Sequence, residues 1–233
     1  MTDQTRGTSS EPSAVPPEWG VPSGSESRLP ALAAVVVAIV LYETLPAKLN
    51  VEPGRALPML EAALIIALLL AGRTTIKPES RNVRWLSLTL IGVINAANAA
   101  SLVLLVHALI GSDPRMQGRP LIFAAISIWI TAVLVFALWY WELDRGGPHA
   151  RTTADHREPD FLFPQMTTPR SAPHMWSPSF LDYLYVSFTN QTAFSPTDTM
   201  PLTVRAKAIM LAQGVVSIVT IVLVAARAVN ILT

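Results

Sequence analysis

Cysteine is absent from all 233 residues, which excludes disulfides, thiolate metal sites and a cysteine nucleophile. Charge is scarce as well: 14% of residues are Asp, Glu, Lys or Arg, where a soluble domain carries roughly 25%. The net charge of +1 excludes a general attraction to nucleic acid or to acidic partners. No GxSxG, HExxH or glycine-rich phosphate loop occurs, so no enzyme activity and no cofactor are expected. Against these absences stands a hydrophobic content of 51%, too large for a core alone. Much of this chain is expected to face lipid.

Residues 1–28 are rich in Ser, Pro, Gly and Glu and read as a disordered tail. They lack the basic start and short apolar core of a secretory signal. Five later segments approach the ~20 apolar residues of a membrane span. They are Leu29–Pro46, Ala56–Gly72, Trp85–Ile110, Leu121–Trp141 and Val204–Leu232. Trp139, Tyr140 and Trp141 close the fourth and precede Glu142, Asp144 and Arg145, as an interfacial aromatic belt meeting water does. With the tail on the cytoplasmic side, that side receives twelve of the seventeen Lys and Arg residues, as the positive-inside rule prefers. The expected fold is all-α: about five transmembrane helices, with one re-entrant helix and loop between the last two.

Residues 29–111 form a three-helix region, and 119–232 a pore-like module. Within the module, polar loop 142–177 lacks periodicity and reads as a solvated connector. Its histidines, His149, His156 and His174, have no metal-binding spacing, and no metal site is expected.

The sharpest signal is 178-PSFLDYLYVSFTNQTAFSPTDTMPLT-203. Ser177 is suited to cap a helix with Pro178 at its first position; Ser179 with Asp182 is the alternative cap. A helix over 178–192 measures roughly 22 Å, too short to cross a bilayer. Its partly negative end, near Asn190, Gln191 and Thr192, favours a cation. Pro196 turns the chain, Ser195, Thr197, Asp198 and Thr199 offer oxygens, and Pro201 precedes a last helix that Thr203 is placed to cap.

This stretch resembles the pore region of the potassium-channel (pore-loop) superfamily, in which a Thr leads into TVGYGD. Thr192 takes the leading position, 193-AFSPT-197 stands where TVGYG stands, and Asp198 and Pro201 match the Asp and the Pro that follows it. Lys207 matches an early basic residue of the last helix, and Ser217 falls at the usual glycine hinge, with Gly214 one turn earlier. Both filter glycines are replaced, by Ser195 and Thr197, and Pro196 fixes a backbone angle between them, so a potassium-selective carbonyl filter is not expected. The whole pattern also looks like that of bacterial integral membrane proteins grouped as a domain of unknown function.

The resemblance implies a multi-pass protein of the bacterial inner membrane. As a pore it would be a homo-oligomer, a tetramer, around a monovalent cation, because one hairpin cannot enclose a path. Thr192, Ser195, Thr197 and Asp198 would then contact the ion or its hydration shell, and Phe194 would shape a constriction. Gln213, Ser217 and Thr220 share one face of the last helix, continued by Arg227, and either line the path or bond neighbouring helices. Asn95, Asn98 and Ser101, with His107 further along, form a polar ridge among alanines, a pattern of close helix packing, with a transport path as the sharper alternative. Two other readings stay open: a non-conducting scaffold or accessory subunit, and, more distantly, a membrane enzyme using Glu61, His107 or the loop histidines.

Overall fold

In a computed structural model the described residues are 27–50, 59, 62–63, 81–110, 119–152, 158–167, 176–192 and 198–232. They form helices α1 (Leu29–Glu43), α2 (Arg81–Ile110), α3 (Arg119–Leu143), α4 (Phe180–Thr192) and α5 (Val204–Leu232). Short 3-10 turns lie at Ala47–Leu49, Asp144–Gly146 and Ala150–Thr152, and one helical turn at Pro164–Thr167. Strands β1 (Phe161–Leu162) and β2 (Met200–Pro201) pair antiparallel, with Phe161 opposite Pro201 and Leu162 opposite Met200.

Three helices are long and apolar enough to cross a membrane: Asn82–Leu109, Pro120–Gly146 and Val204–Ala225. They coincide with the third, fourth and fifth expected spans. The first expected span becomes α1, 15 residues or about 22 Å long. It ends where Thr44 donates its hydroxyl to the Leu41 carbonyl at 2.7 Å, two residues before Pro46. The second, Ala56–Gly72, lies outside the described residues apart from Met59, Ala62 and Ala63.

Helix α3 is the hub, packed against each of the other four helices. Two apolar clusters stack along it. Around its C-terminal half sit Ala31, Ala34 and Ala38 of α1, Leu90 and Ile94 of α2, and Phe180, Tyr183 and Val186 of α4. Around its N-terminal half sit Tyr42, Leu45, Leu49, Ala97, Leu102 and Leu105. The alanines let the helix backbones approach closely, which dispersion rewards in lipid as in water. Of the three long helices, α3 has 61% of its most apolar stretch buried and α5 only 17%, so α5 is the outermost.

These contacts fix direction. Tyr42 meets the α3 start while Ala31 meets its end, so α1 runs antiparallel to α3. Arg84 reaches the Glu142 carbonyl and Asn98 the Ile128 carbonyl, so α2 does the same. Glu43 and Arg81, which follow one another among the helix ends, therefore sit at opposite ends of the bundle.

Within loop 142–177 the described residues, 142–152, 158–167 and 176–177, include buried charges not expected of a solvated connector. The rest, His156 and His174 among them, lies outside the described residues. Asp144, Arg145, Arg151 and Asp160 are each at most 2% exposed. The reason is that their charges are answered by one another and by helix ends, so water is not required.

Candidate functional site

Helix α4 starts where α3 ends and descends beside it. Ser179 is its cap: its N–H and its hydroxyl both donate to the Asp182 carboxylate, at 2.7 and 2.8 Å, which is the alternative capping box. Phe180 packs edge-on against Trp141, with ring centroids 6.1 Å apart. Two turns on, the Ser187 hydroxyl donates to the Val133 carbonyl at 2.7 Å, and Phe188 meets Trp129 edge-on at 5.9 Å. The helix thus ends near the middle of α3. Helix α5 begins at the same level as α4, with Ala206 and Ile209 beside Tyr140 and Leu143, and runs alongside it. By Met200 the chain is back at that starting level, because β2 pairs with β1 and Phe161 lies 5.1 Å from the Tyr140 ring.

A clamp of buried charge holds the three helix ends together. The Asp144 carboxylate accepts the Tyr183 hydroxyl at 2.6 Å and the Asp160 N–H at 2.7 Å. Asp160 accepts Arg205 twice, from Nε at 2.9 Å and Nη2 at 2.7 Å, and the Thr203 hydroxyl at 2.5 Å. The Arg145 N–H adds a bond at 3.3 Å. The Arg151 guanidinium, fully buried, donates to the carbonyls of Trp141 at 2.7 Å and Asp144 at 3.1 Å. Those carbonyls close α3, and a cation there answers the negative helix end. It also lies over the Tyr183 ring at 5.3 Å. The turn that makes this possible has positive φ at Arg145, Gly146 and Gly147. A Cβ on Gly147 would stand 3.1 Å from the Glu142 carbonyl. Sequence reasoning missed the clamp. Its one local signal was the Gly146–Gly147 pair directly after an apolar helix.

Below the clamp, a polar seam joins α4 to α5. The Gln213 side chain donates to the Ser187 carbonyl and hydroxyl, both at 2.9 Å, and accepts from Asn190 at 2.9 Å and from the Tyr140 hydroxyl. Asn190 also donates to the Met210 carbonyl at 3.0 Å. One turn lower, the Ser217 hydroxyl donates to the Gln191 carbonyl. Thr220 bonds its own helix, at the Val216 carbonyl. Beneath the end of α4, Ala125, Trp129, Thr220 and Val224 are among the residues lining an apolar groove of about 300 Å³ between α3 and α5.

Among the expected path residues, Gln213, Ser217 and Thr220 are therefore buried inside the protomer, and their polar groups bind within and between helices. Thr192 ends α4 half-buried, its hydroxyl on the Thr189 carbonyl at 2.9 Å. Asp198 is exposed, just before β2. Phe194, Ser195 and Thr197 lie outside the described residues, as does Glu61. Thr203 caps α5, accepting the Ala206 N–H at 3.3 Å. On α2, Asn98 donates to the Ile128 carbonyl at 3.3 Å, as close packing implies, while His107 is exposed. Among the described residues no three His, Asp or Glu side chains are grouped to hold a metal ion.

Compared with protein-family models, with curated proteins and with solved structures, the chain matches none.

Proposed function

We propose that the chain is a multi-pass inner-membrane protein of pore-loop type, with five spans and with α4 and the loop after it entering and leaving the bilayer on one side. Four copies around an axis would form a path for a monovalent cation. Supporting the re-entrant reading is one relation of depth. The end of α4 is level with Ser217, more than three turns into α5, whereas Met200 is level with the α3 end. With 13 residues, α4 is about 20 Å long and reaches only from the end of α3 to its middle, whereas α1, two residues longer, continues through the turn at Ala47–Leu49 and so runs from the end of α3 to its start. The parallel course of α1 and α2 supports the fifth span, since a crossing at Ala56–Gly72 joins their opposite ends. In the assembled pore Thr192, Ser195, Thr197 and Asp198 meet the ion or its water, Phe194 narrows the path, and the negative end of α4 lowers the energy of a cation there. Gln213 and Ser217 hold α4 in place, and Thr220 bonds its own helix below them.

Purified protein in nanodiscs, sized by native mass spectrometry, and cation flux into liposomes test this reading. A tetramer with flux supports it; a stable monomer without flux sinks it.

A second reading is favoured by one observation. The polar stripe of α5 is occupied by bonds within the protomer, which suits a non-conducting scaffold or accessory subunit. Cross-linking to one defined partner protein, with no flux from the purified chain, would favour that reading.

A further inference from the structure

The seam between α4 and α5 is fully bonded until its last step. Gln191, next to last in α4, has no exposed surface. Its backbone carbonyl is taken by Ser217, yet among the described residues its side-chain amide has no hydrogen-bond partner at either the oxygen or the nitrogen. One turn earlier, Gln213 is equally buried and bonded at both ends. The contrast between the two amides is therefore local. A second orphan lies on α2, where the Ser101 hydroxyl is fully buried and unpartnered among the described residues, one turn beyond Asn98. A buried donor or acceptor left unbonded carries the full cost of its lost hydration. Bonds from Ser187, Asn190 and Ser217 pin this end of α4, so the helix cannot turn to carry Gln191 out to solvent.

We propose that the Gln191 carboxamide is one wall of an internal hydration site holding about one or two ordered waters at the end of α4. The chemistry of the orphan groups selects the ligand. A carboxamide presents both donors and an acceptor, and water answers both. A cation would satisfy Oε1 and leave Nε2 bare. An anion would do the reverse and would also face the negative end of α4. The Ser217 oxygen, which donates its proton to Gln191, keeps lone pairs that a water can use. A buried water makes ~3 hydrogen bonds, a number these groups supply. The site stands under either functional reading, because it depends on the packing of one protomer.

The test is proton-detected solid-state NMR of the full chain in lipid bilayers, with its five glutamines labelled with nitrogen-15. Gln191→Asn and Gln213→Asn, each of which removes one of the five side-chain signals, assign the two amides. Magnetisation transfer from water to the Gln191 amide protons, with none to those of Gln213, is the expected result. An amide at Gln191 as dry as that at Gln213 overturns the proposal, whether or not the protein conducts.

Discussion

Arg205 holds Asp160 with two parallel hydrogen bonds, at 2.9 and 2.7 Å, and so ties the first turn of α5 to the loop that follows α3. The two partners differ in surroundings. Asp160 is 1% exposed, whereas the Arg205 side chain keeps 41% of its surface in contact with solvent. The pair therefore answers unequally to the loss of either member, and the same logic of burial runs through the rest of the molecule.

Arg205→Ala should strand a buried carboxylate and cost about 3 kcal/mol, the low end for breaking a buried pair because Thr203 and the Arg145 N–H remain. Arg205→Lys should cost less but not nothing, since an ammonium cannot make the forked contact. Adding Asp160→Ala to Arg205→Ala should recover part of the loss. Thermal unfolding of the parent, Arg205→Ala, Asp160→Ala and the double variant in one detergent gives the cycle, with Arg205→Lys measured beside it. An Arg205→Ala protein as stable as the parent would contradict the clamp.

Gly147 has φ 103° and ψ 173°, a region open almost only to glycine. Gly147→Ala should cost about 1–3 kcal/mol from backbone strain alone, and the Cβ would crowd the Glu142 carbonyl besides. Gly92 and Gly214 are the controls: each is helical, and a Cβ there meets nothing within 4 Å. Alanine at either should gain about 0.5–1 kcal/mol. Melting temperatures moving in opposite directions would bear this out.

Gln213→Leu tests the seam. A single interhelical hydrogen bond in a membrane is worth about 0.6 kcal/mol, too little to matter alone. Here, however, the change would strip the buried Tyr140 hydroxyl and one Asn190 N–H of their shared acceptor, while Ser187 keeps Val133 and Asn190 keeps Met210. A loss of roughly 2 kcal/mol is expected, because buried unbonded groups dominate over lost bonds. If leucine left the melting temperature unchanged, the seam would be ornament and not support.

Asp198 separates function from stability. It is exposed, so Asp198→Ala should leave the unfolding free energy within about 0.5 kcal/mol of the parent. If the chain conducts, the same change should lower cation flux, because a carboxylate at the mouth concentrates cations there. Paired flux and unfolding measurements decide. Equal flux before and after the change would remove Asp198 from the path.

Much of this architecture was legible beforehand. Long apolar runs marked α2, α3 and α5, and the serines and proline at 177–179 marked the start of a short helix, although the cap proved to be Ser179 with Asp182. The loop after α3 was not legible. Asp144 finds Tyr183 thirty-nine residues on, and Asp160 finds Arg205 forty-five residues on, distances at which no periodicity links partners. A lone Asp or Arg in a proline-rich stretch looks the same whether water or another side chain will answer it.

Spacing alone placed Gln213, Ser217 and Thr220 on one face of α5, because a helix repeats every ~3.6 residues wherever it sits. Which way that face points was decided by α4, whose carbonyls and amides stand there to receive it. Local geometry is written in neighbouring residues, so the chain carried it unaided. The direction of a polar face, and the burial of a charge, depend on groups that only folding brings within hydrogen-bonding distance.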